Sequence, residues 1–574
     1  MALRFLKSVR GFPFHRACYI DKLSRDALIA VAPPSGVEKI HRLEKEWHRP
    51  QGDVAVLEER LQLYGGERPS RCTEGDYLAI LRSTMEELAP RERIIPSTLG
   101  AAELNPKFPK TTSPGFPYVH QGFKTKGDVL NDPIAMGRIH GAWRTIGEGK
   151  PWSLPDSLAY HRVVASPKEK SKIRPVWGYP LDVVLEEARY FYPLFEELKV
   201  VCNERDTFYG IGMETALSGH AHLSRHMRST GVLAGLFADM SNFDALVPDW
   251  LIRDVFSHMS DWFDFTRVRD SEGKIWPVNE DKTARRWRAM VSYFLNTKVR
   301  TPSGIRFQKF QGVPSGSCFT NVMDTICNAV MMRLSLRRVT GFLPIKDFYY
   351  GDDSAVFVGT PLSLADLASE LLRTFGGVLS VEKTIYTDNE ENIHWLGYYY
   401  RDGLPIRDLD FIIASTLFPE REVEGPIDSA SRLLGQMYST MHPHWAVVFA
   451  DAVAHLRTQH KFSYGEVISL IRSRGSKSVK FLTTLGLTVE DIVQPDITTD
   501  PFGSRRVEGV LPKPSSRSFF RNFNNLPPYA FIPEAYAAPS LRRHSFYSKR
   551  LSYHEIESRD HDVYHGHTRS ASWP

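Results

Sequence analysis

Residues 345–358, Ile-Lys-Asp-Phe-Tyr-Tyr-Gly-Asp-Asp-Ser-Ala-Val-Phe-Val, constrain the fold of this chain more than any other stretch. Two apolar runs of strand length, rich in aromatic and β-branched residues, flank Gly351-Asp352-Asp353. The pattern predicts a hairpin whose tight turn lifts two adjacent carboxylates out of a buried sheet. Adjacent carboxylates repel, so a divalent metal, a shared proton or plain exposure at a turn tip must relieve them. Alone the tripeptide decides nothing, because a chain this long carries it by chance roughly one time in ten at ordinary residue frequencies.

Its meaning comes from what surrounds it. Val232 to Ala238 form a continuous apolar run, expected of a strand buried on both faces, which ends abruptly in Asp239 with Asp244 five residues on. An aspartate at the mouth of such a strand is costly unless paired or metal-bound, although the same spacing also suits a helix-capping aspartate. Gln311-Gly312-Val313-Pro314-Ser315-Gly316-Ser317 reads as a flexible, hydroxyl-bearing loop. A helix follows it, with Phe319, Met323, Ile326, Val330 and Leu334 on an apolar stripe and Gly341 as its stop. Thr320, Asp324 and Asn328 recur every four residues and form a polar line on that helix.

Earlier in the chain, Lys168, Lys170, Lys172 and Arg174 alternate, which on an extended segment places all four on one face. Such a face is either a solvated edge strand or a cationic rib over a phosphate-handling site, with Arg174 the best fork-shaped ligand. Thr111-Thr112-Ser113-Pro114-Gly115-Phe116-Pro117-Tyr118 is a stiff loop that either braces the structure or guides a nucleic-acid backbone. Residues 1–100 show helical periodicity around Tyr77–Leu88 and no evident chemistry. Leu362–Phe375 predicts a helix, 394–405 an aromatic-rich hairpin, and 427–490 a helical subdomain containing Ala430–Tyr438 and Trp445–Leu456.

Composition sets the outer bounds. At 574 residues, 24% charged and 42% hydrophobic, the chain is expected to be a soluble protein with several subdomains. No run approaches the roughly 18 apolar residues of a membrane span, and the first ten residues carry charges where a signal peptide needs an apolar core. A cytosolic protein, or one packaged by cytosolic assembly, is expected. The five cysteines are scattered without a Cys-x-x-Cys pair, which supports neither a disulfide framework nor a zinc site. Net charge is +5. Residues 501–574 hold eleven Lys and Arg against six Asp and Glu, so the tail supplies the whole excess. Any groove for a polyanion elsewhere must come from local clustering. Aromatics in that tail favour an extended segment on a surface, with RNA stacking as the alternative.

In this order, the Asp239 strand, the Ser-Gly loop with its polar helix, the Gly-Asp-Asp hairpin and Lys383 resemble the palm of viral RNA-dependent RNA polymerases. Gly312-Val313-Pro314-Ser315-Gly316-Ser317 with Phe319-Thr320, Gly351-Asp352-Asp353-Ser354 and Trp395-Leu396-Gly397-Tyr398 most resemble partitivirus polymerases, with picobirnaviruses as near relatives. The resemblance implies an α+β fold, a right hand of fingers, palm and thumb whose palm is a small antiparallel sheet packed on helices. It implies an N-terminal bracing region at 1–110, fingers at 111–235, and a palm at 236–405 with a fingers insertion near 255–310. A helical thumb at 406–500 and a basic, aromatic C-terminal extension at 501–574 complete the division.

The implied activity is template-directed RNA synthesis for a double-stranded RNA genome, inside a virus particle in the host cytoplasm. Implied partners are RNA template and product, ribonucleoside triphosphates and a viral capsid protein, with no membrane. In-line phosphoryl transfer needs two metals about 3.5–4 Å apart. Asp239 and Asp352 are the expected ligands of two Mg²⁺, replaceable by Mn²⁺, with Asp353 a weaker ligand. Lys383 is implied as the general acid toward pyrophosphate, with a solvated lysine as the alternative. Lys168, Lys172 and Arg174 are expected to hold the triphosphate. Asp244, helped by Ser315, Gly316 and Thr320, is expected to read the ribose 2′-hydroxyl, with Asn328 also in the nucleotide site. Thr112, Ser113 and Gly115 are expected to guide the template. Asp324 stands where many positive-strand polymerases carry Asn, so two carboxylates face one small site, and either one is protonated or a cation or Asn328 separates them. A reverse transcriptase shares the palm but usually carries a bulky gate residue at the place of Asp244. A capsid or RNA-binding scaffold explains length and basic tail but not the placed aspartates.

Overall fold

The Gly-Asp-Asp stretch forms the predicted hairpin in the computed structural model, which describes residues 3–14, 18–66, 69–169, 172–215, 219–401, 404–440, 443–474 and 485. The expected C-terminal extension, Lys170 and the side chain of Lys172 lie outside these. Strands Lys346–Tyr350 and Asp353–Val358 pair antiparallel, with Tyr350 opposite Asp353 and Gly351-Asp352 as the two-residue turn. Gly351 has φ +65°, the left-handed conformation such a turn demands of one residue. The strand Ala234–Ala238 pairs with the second arm, and Ile385–Thr387 closes a four-stranded antiparallel sheet.

Both faces of this sheet are covered, which explains the unbroken apolar run of its central strand. Leu236, Val356 and Val358 join a core shared with the helix Thr320–Thr340. Phe237, Ala355 and Phe357 face a second core built from the helix Gly219–Met227 and the aromatic strands His394–Trp395, Tyr398–Arg401 and Leu404–Ile406. The helix Thr320–Thr340 is buried on all sides from Val322 to Leu336, not along a single stripe. It stops at Gly341 (φ +83°), as Leu364–Phe375 stops at Gly376 (φ +71°).

A five-stranded sheet stands beside the palm sheet in sequence, in the order Arg4–Ser8, Ile305–Gln308, Lys298–Arg300, Ser157–Val164, Lys172–Gly178. Residues 298–308 therefore complete a sheet begun 140 residues earlier, as the parallel pairing of Val299 with Ser157 shows. The helices Leu409–Leu417, Pro426–Thr440, Pro443–His460 and Tyr464–Ser473 form a separate helical core.

The first hundred residues do not fold as one lobe. Residues 4–8 are an edge strand of the five-stranded sheet. Helices Lys22–Val31 and Pro34–Glu46 pack into the helical core of residues 409–471. There Lys39 and Arg42 both bond Asp410 at 2.6 Å, and Asp21 pairs with Arg432. The helix Val54–Gln62 packs on the strand Lys172–Gly178, Gly75–Leu88 on the helix Thr320–Thr340, and Leu99–Leu104 on the helix Leu181–Glu204. Arg49 crosses between sheets and helices, donating to Phe418 O at 2.7 Å and to Val163 O. No helix among the described residues is long and apolar enough to cross a membrane.

Candidate active site

Strand register brings the acids together. Ser354 lies opposite Ala238, so Asp353 and Asp239 are the next residues on two adjacent strands, with Asp352 at the turn beyond. Asp352 is exposed, while Asp239 and Asp353 are half-buried. Burial, then the charges of Asp352 and Asp239, raise the Asp353 carboxyl well above its ordinary range, against a pull from Arg174 and Arg407. This is an all-oxygen, excess-negative cluster, the donor chemistry a hard divalent cation neutralises. Among the described residues no group of three or more His, Cys, Asp or Glu is placed to hold a metal ion by itself. Magnesium asks for only one or two carboxylates and completes its shell with water and phosphate oxygens, so Asp239, Asp352 and Asp353 fit it.

The Asp239 backbone is fixed from the next element. Its N–H donates to Thr384 Oγ1 at 3.1 Å and its carbonyl accepts from Ser380 N at 2.9 Å. Lys383 sits in that same 380–384 turn, its own N–H bonded to Ser380 O at 3.2 Å, with a half-buried side chain.

Asp244 belongs to the short helix Phe243–Leu246, whose N-cap is Asn242, so it is not a capping aspartate. Burial pushes its carboxyl up to about 7, the Asp352 charge adds to this, and Arg174 opposes it. Asp324 is 4% exposed, its Oδ1 has no hydrogen-bond partner, and burial with the charges of Asp244 and Asp352 raises it well above the usual range. The two carboxylates anticipated at one site are therefore both there. Asn328 does not separate them: its Nδ2 donates to Gly351 O (3.1 Å) and Asp352 O (3.0 Å), and its Oδ1 accepts from Ser354 Oγ (3.2 Å). All of its polar atoms are spent holding the acidic turn. Thr325, unremarked in the sequence, does the same by accepting from Gly351 N at 2.8 Å.

The hydroxyls of the Ser-Gly loop are engaged within the protein. Ser315 Oγ accepts from Trp177 N at 3.2 Å, and Thr320 Oγ1 donates to Pro314 O and Ser317 O at 3.0 and 2.8 Å. Gly316 lies so close to the Trp177 carbonyl that a Cβ there would stand 1.8 Å from the oxygen. The cationic rib is shorter than alternation predicts. Lys168 is exposed in a turn after Ser166–Pro167, its N–H bonded to Glu46 O at 2.7 Å, and only Lys172 and Arg174 share the strand Lys172–Gly178. Pairing of Pro167 with Trp47 breaks the extended run. Arg174 is exposed, and its charge reaches both Asp244 and Asp353.

In the 111–118 loop, Thr112 Oγ1 donates to Pro109 O at 2.9 Å and accepts from the buried Lys126 at 2.6 Å. Ser113 Oγ lies 3.4 Å from Tyr160 OH. Gly115 (φ +72°) packs on the backbone of Tyr179 and Pro180, where a Cβ would come within 2.5 Å of Tyr179 O. Sequence reasoning missed Arg407, Thr325, Thr384 and Tyr64. The Tyr64 hydroxyl is raised by burial and then by the Asp244 and Asp324 charges. None of these carries a local motif; only the fold brings them to the acids.

An acid cluster on adjacent strand ends thus lies near a buried helix carrying Asp324 and a strand carrying Arg174, the arrangement of a polymerase palm. The family described as viral RNA-dependent RNA polymerase matches residues 91–409, and the chain belongs to it. It is 27% identical over 317 residues to the RNA-directed RNA polymerase of Atkinsonella hypoxylon virus (isolate 2H), covering 48% of this chain and 46% of that protein. It is 25% identical over 354 residues to the RNA-directed RNA polymerase of Cryptosporidium parvum virus 1 (strain KSU-1), covering 58% and 62%. The chain thus spans about half to three fifths of the length of these curated relatives. The crystal structure of a human picobirnavirus RNA-dependent RNA polymerase superposes with a TM-score of 0.57 at 15% identity, over 84% of this chain and 91% of that one. That likeness gives the right-hand polymerase fold.

Proposed function

We propose that this chain carries out template-directed RNA synthesis, for replication and transcription of a double-stranded RNA viral genome. The carrying observation is the convergence of Asp239 with Asp352 and Asp353 on adjacent strand ends, facing Asp244, Asp324 and Arg174. On this reading residues 111–235 and 255–310 serve as fingers, the rest of 236–405 as palm, and the helices from 406 as thumb, with residues 1–110 bracing all three.

Asp239, Asp352 and Asp353 would hold two Mg²⁺, or Mn²⁺. Bound there, the ions lower the charge repulsion between attacking and leaving oxygens. The primer 3′-hydroxyl gives its proton to solvent water and its oxygen forms a bond to the α-phosphorus, while the bond to pyrophosphate breaks and the electron pair leaves with it. Arg174, beside Lys172 on one strand, meets the triphosphate charge. Lys383, in the 380–384 turn that bonds the Asp239 backbone through Ser380 and Thr384, supplies the proton that pyrophosphate takes up. Asp244 orients the nucleotide by accepting from the ribose 2′-hydroxyl, which DNA precursors lack. Its partners on this reading are RNA, ribonucleoside triphosphates and a capsid protein, and its place is inside a particle in the host cytoplasm.

The test is incorporation of labelled ribonucleotides on a defined RNA template with Mg²⁺, run beside Asp352→Ala. Template-dependent product from the parent and none from the variant is expected. Equal incorporation by the two discards the mechanism.

A further inference from the structure

The helix that carries Thr320, Asp324 and Asn328 lacks a cap of its own. Its N-cap position is Phe319, whose side chain accepts nothing, although a 21-residue helix leaves several N–H groups unpaired at that end. The turn just before it, Ser317-Cys318, is instead anchored from another element. Glu187, on the helix Leu181–Glu204, is fully buried, and its two carboxyl oxygens accept from Ser317 Oγ at 2.8 Å and Cys318 N at 2.7 Å. Ser317 Oγ in turn accepts from Phe319 N at 3.1 Å. No Lys or Arg forms an ion pair with Glu187 among the described residues, and burial pushes its carboxyl up to about 8 against the pull of these donors.

Glu187 also lies just downstream of the strand that presents Arg174. That strand runs through Trp177 and Tyr179 into the Glu187 helix within three residues. The Ser-Gly loop is riveted to this bend at Ser315 (to Trp177 N) and Gly316 (against Trp177 O). One short loop thus joins the strand bearing Arg174 to the helix bearing Asp324, whose charge acts on Asp244 and Asp352 in the same site. Asp324 at that helix has an unpartnered, buried oxygen, so its position is set by the helix and not by bonds of its own.

We propose that Glu187 is a positioning residue for nucleotide selection: acting through Ser317 and Cys318, it caps the Thr320–Thr340 helix from outside and fixes Asp324 in register with Arg174. The inference rests on the polymerase reading above. Leaving the buried Ser317 hydroxyl and the Cys318 N–H without their acceptor costs enough to shift an equilibrium about tenfold or more. In Glu187→Ala the loop loosens, the KM for ribonucleotides rises about tenfold, and preference for ribo- over deoxyribonucleotides falls, with a smaller change in kcat. Glu187→Gln keeps an oxygen for Cys318 N–H and stays within about threefold of the parent.

The test measures two things on the full chain: hydrogen exchange of the peptide spanning 314–320, and KM, kcat and sugar preference in the incorporation assay. Faster exchange with raised KM and weakened sugar preference in Glu187→Ala, largely restored in Glu187→Gln, is the expected result. Faster exchange with parental KM and sugar preference overturns the proposal, as does unchanged exchange. If Glu187→Ala does not fold, Ser317→Ala, which removes the donor to Glu187 and the acceptor of Phe319 N but keeps the Cys318 N–Glu187 bond, must show the same shifts at smaller size, and parental values there overturn the proposal. Absence of template-dependent product from the parent fails the polymerase reading itself, and the exchange arm still decides whether Glu187 is the cap.

Discussion

Asn328→Ala is the substitution whose consequence the structure fixes most closely. Asn328 is 1% exposed and makes three hydrogen bonds, to Gly351 O, Asp352 O and Ser354 Oγ. Each contributes about 0.5–1.5 kcal/mol net, and the carbonyls left behind face a helix instead of water, so roughly 3–4 kcal/mol is lost. At about 2.1 cal/mol/K per residue over the described residues, the unfolding entropy is near 1 kcal/mol/K, and the melting temperature falls by about 3–4 °C. The chemical effect is larger, because the turn carries Asp352, and a displacement near 1 Å at a reacting group costs about 100-fold in rate. All three hydrogen bonds go to the turn and the residue after it, so the loss falls first on the placement of the acids. Incorporation by Asn328→Ala should therefore lose about 100-fold in kcat at nearly parental KM. Thermal unfolding and steady-state incorporation measure both. A parental melting temperature with an intact kcat, or a raised KM at parental kcat, refutes the reasoning.

Asp244→Asn should relax ribonucleotide selection while Asp239→Asn abolishes synthesis, read by competing ribo- and deoxyribonucleotides on one template; unaltered ribose preference in Asp244→Asn refutes that role. The same carboxyl makes metal-free stability depend on pH. Its folded-state value, about 7, lies above that of the unfolded chain, so the folded state holds the extra proton and stability falls as pH rises from about 4 to 7. Asp244→Asn removes this loss: in chelator its melting temperature should exceed the parent's at pH 7.5 and match it near pH 4, and an equal difference at both pH values excludes Asp244 as the source.

The legible part of the chain was legible for local reasons. A tight turn with Gly351 between aromatic and β-branched runs leaves little besides a hairpin, and the apolar run before Asp239 leaves little besides a doubly covered strand. The helix from Leu364, predicted from Leu362, ends with Gly376 just as its periodicity requires. Alternation failed at Lys168, because the partner that ends the extended run, Trp47, lies 120 residues away.

By itself, then, the sequence determined the palm elements, their order and the acids they carry, since each follows from periodicity and turn chemistry within a few residues. Tertiary structure alone decided how those acids are held. Nothing local says that Asn328 is bonded to the Gly-Asp-Asp turn, that Glu187 accepts from Cys318 more than 130 residues downstream, or that the first hundred residues divide between two cores and a sheet edge. A buried donor or acceptor must find a partner, but which one it finds depends on the groups that packing brings within 3 Å, and those come from anywhere in the chain.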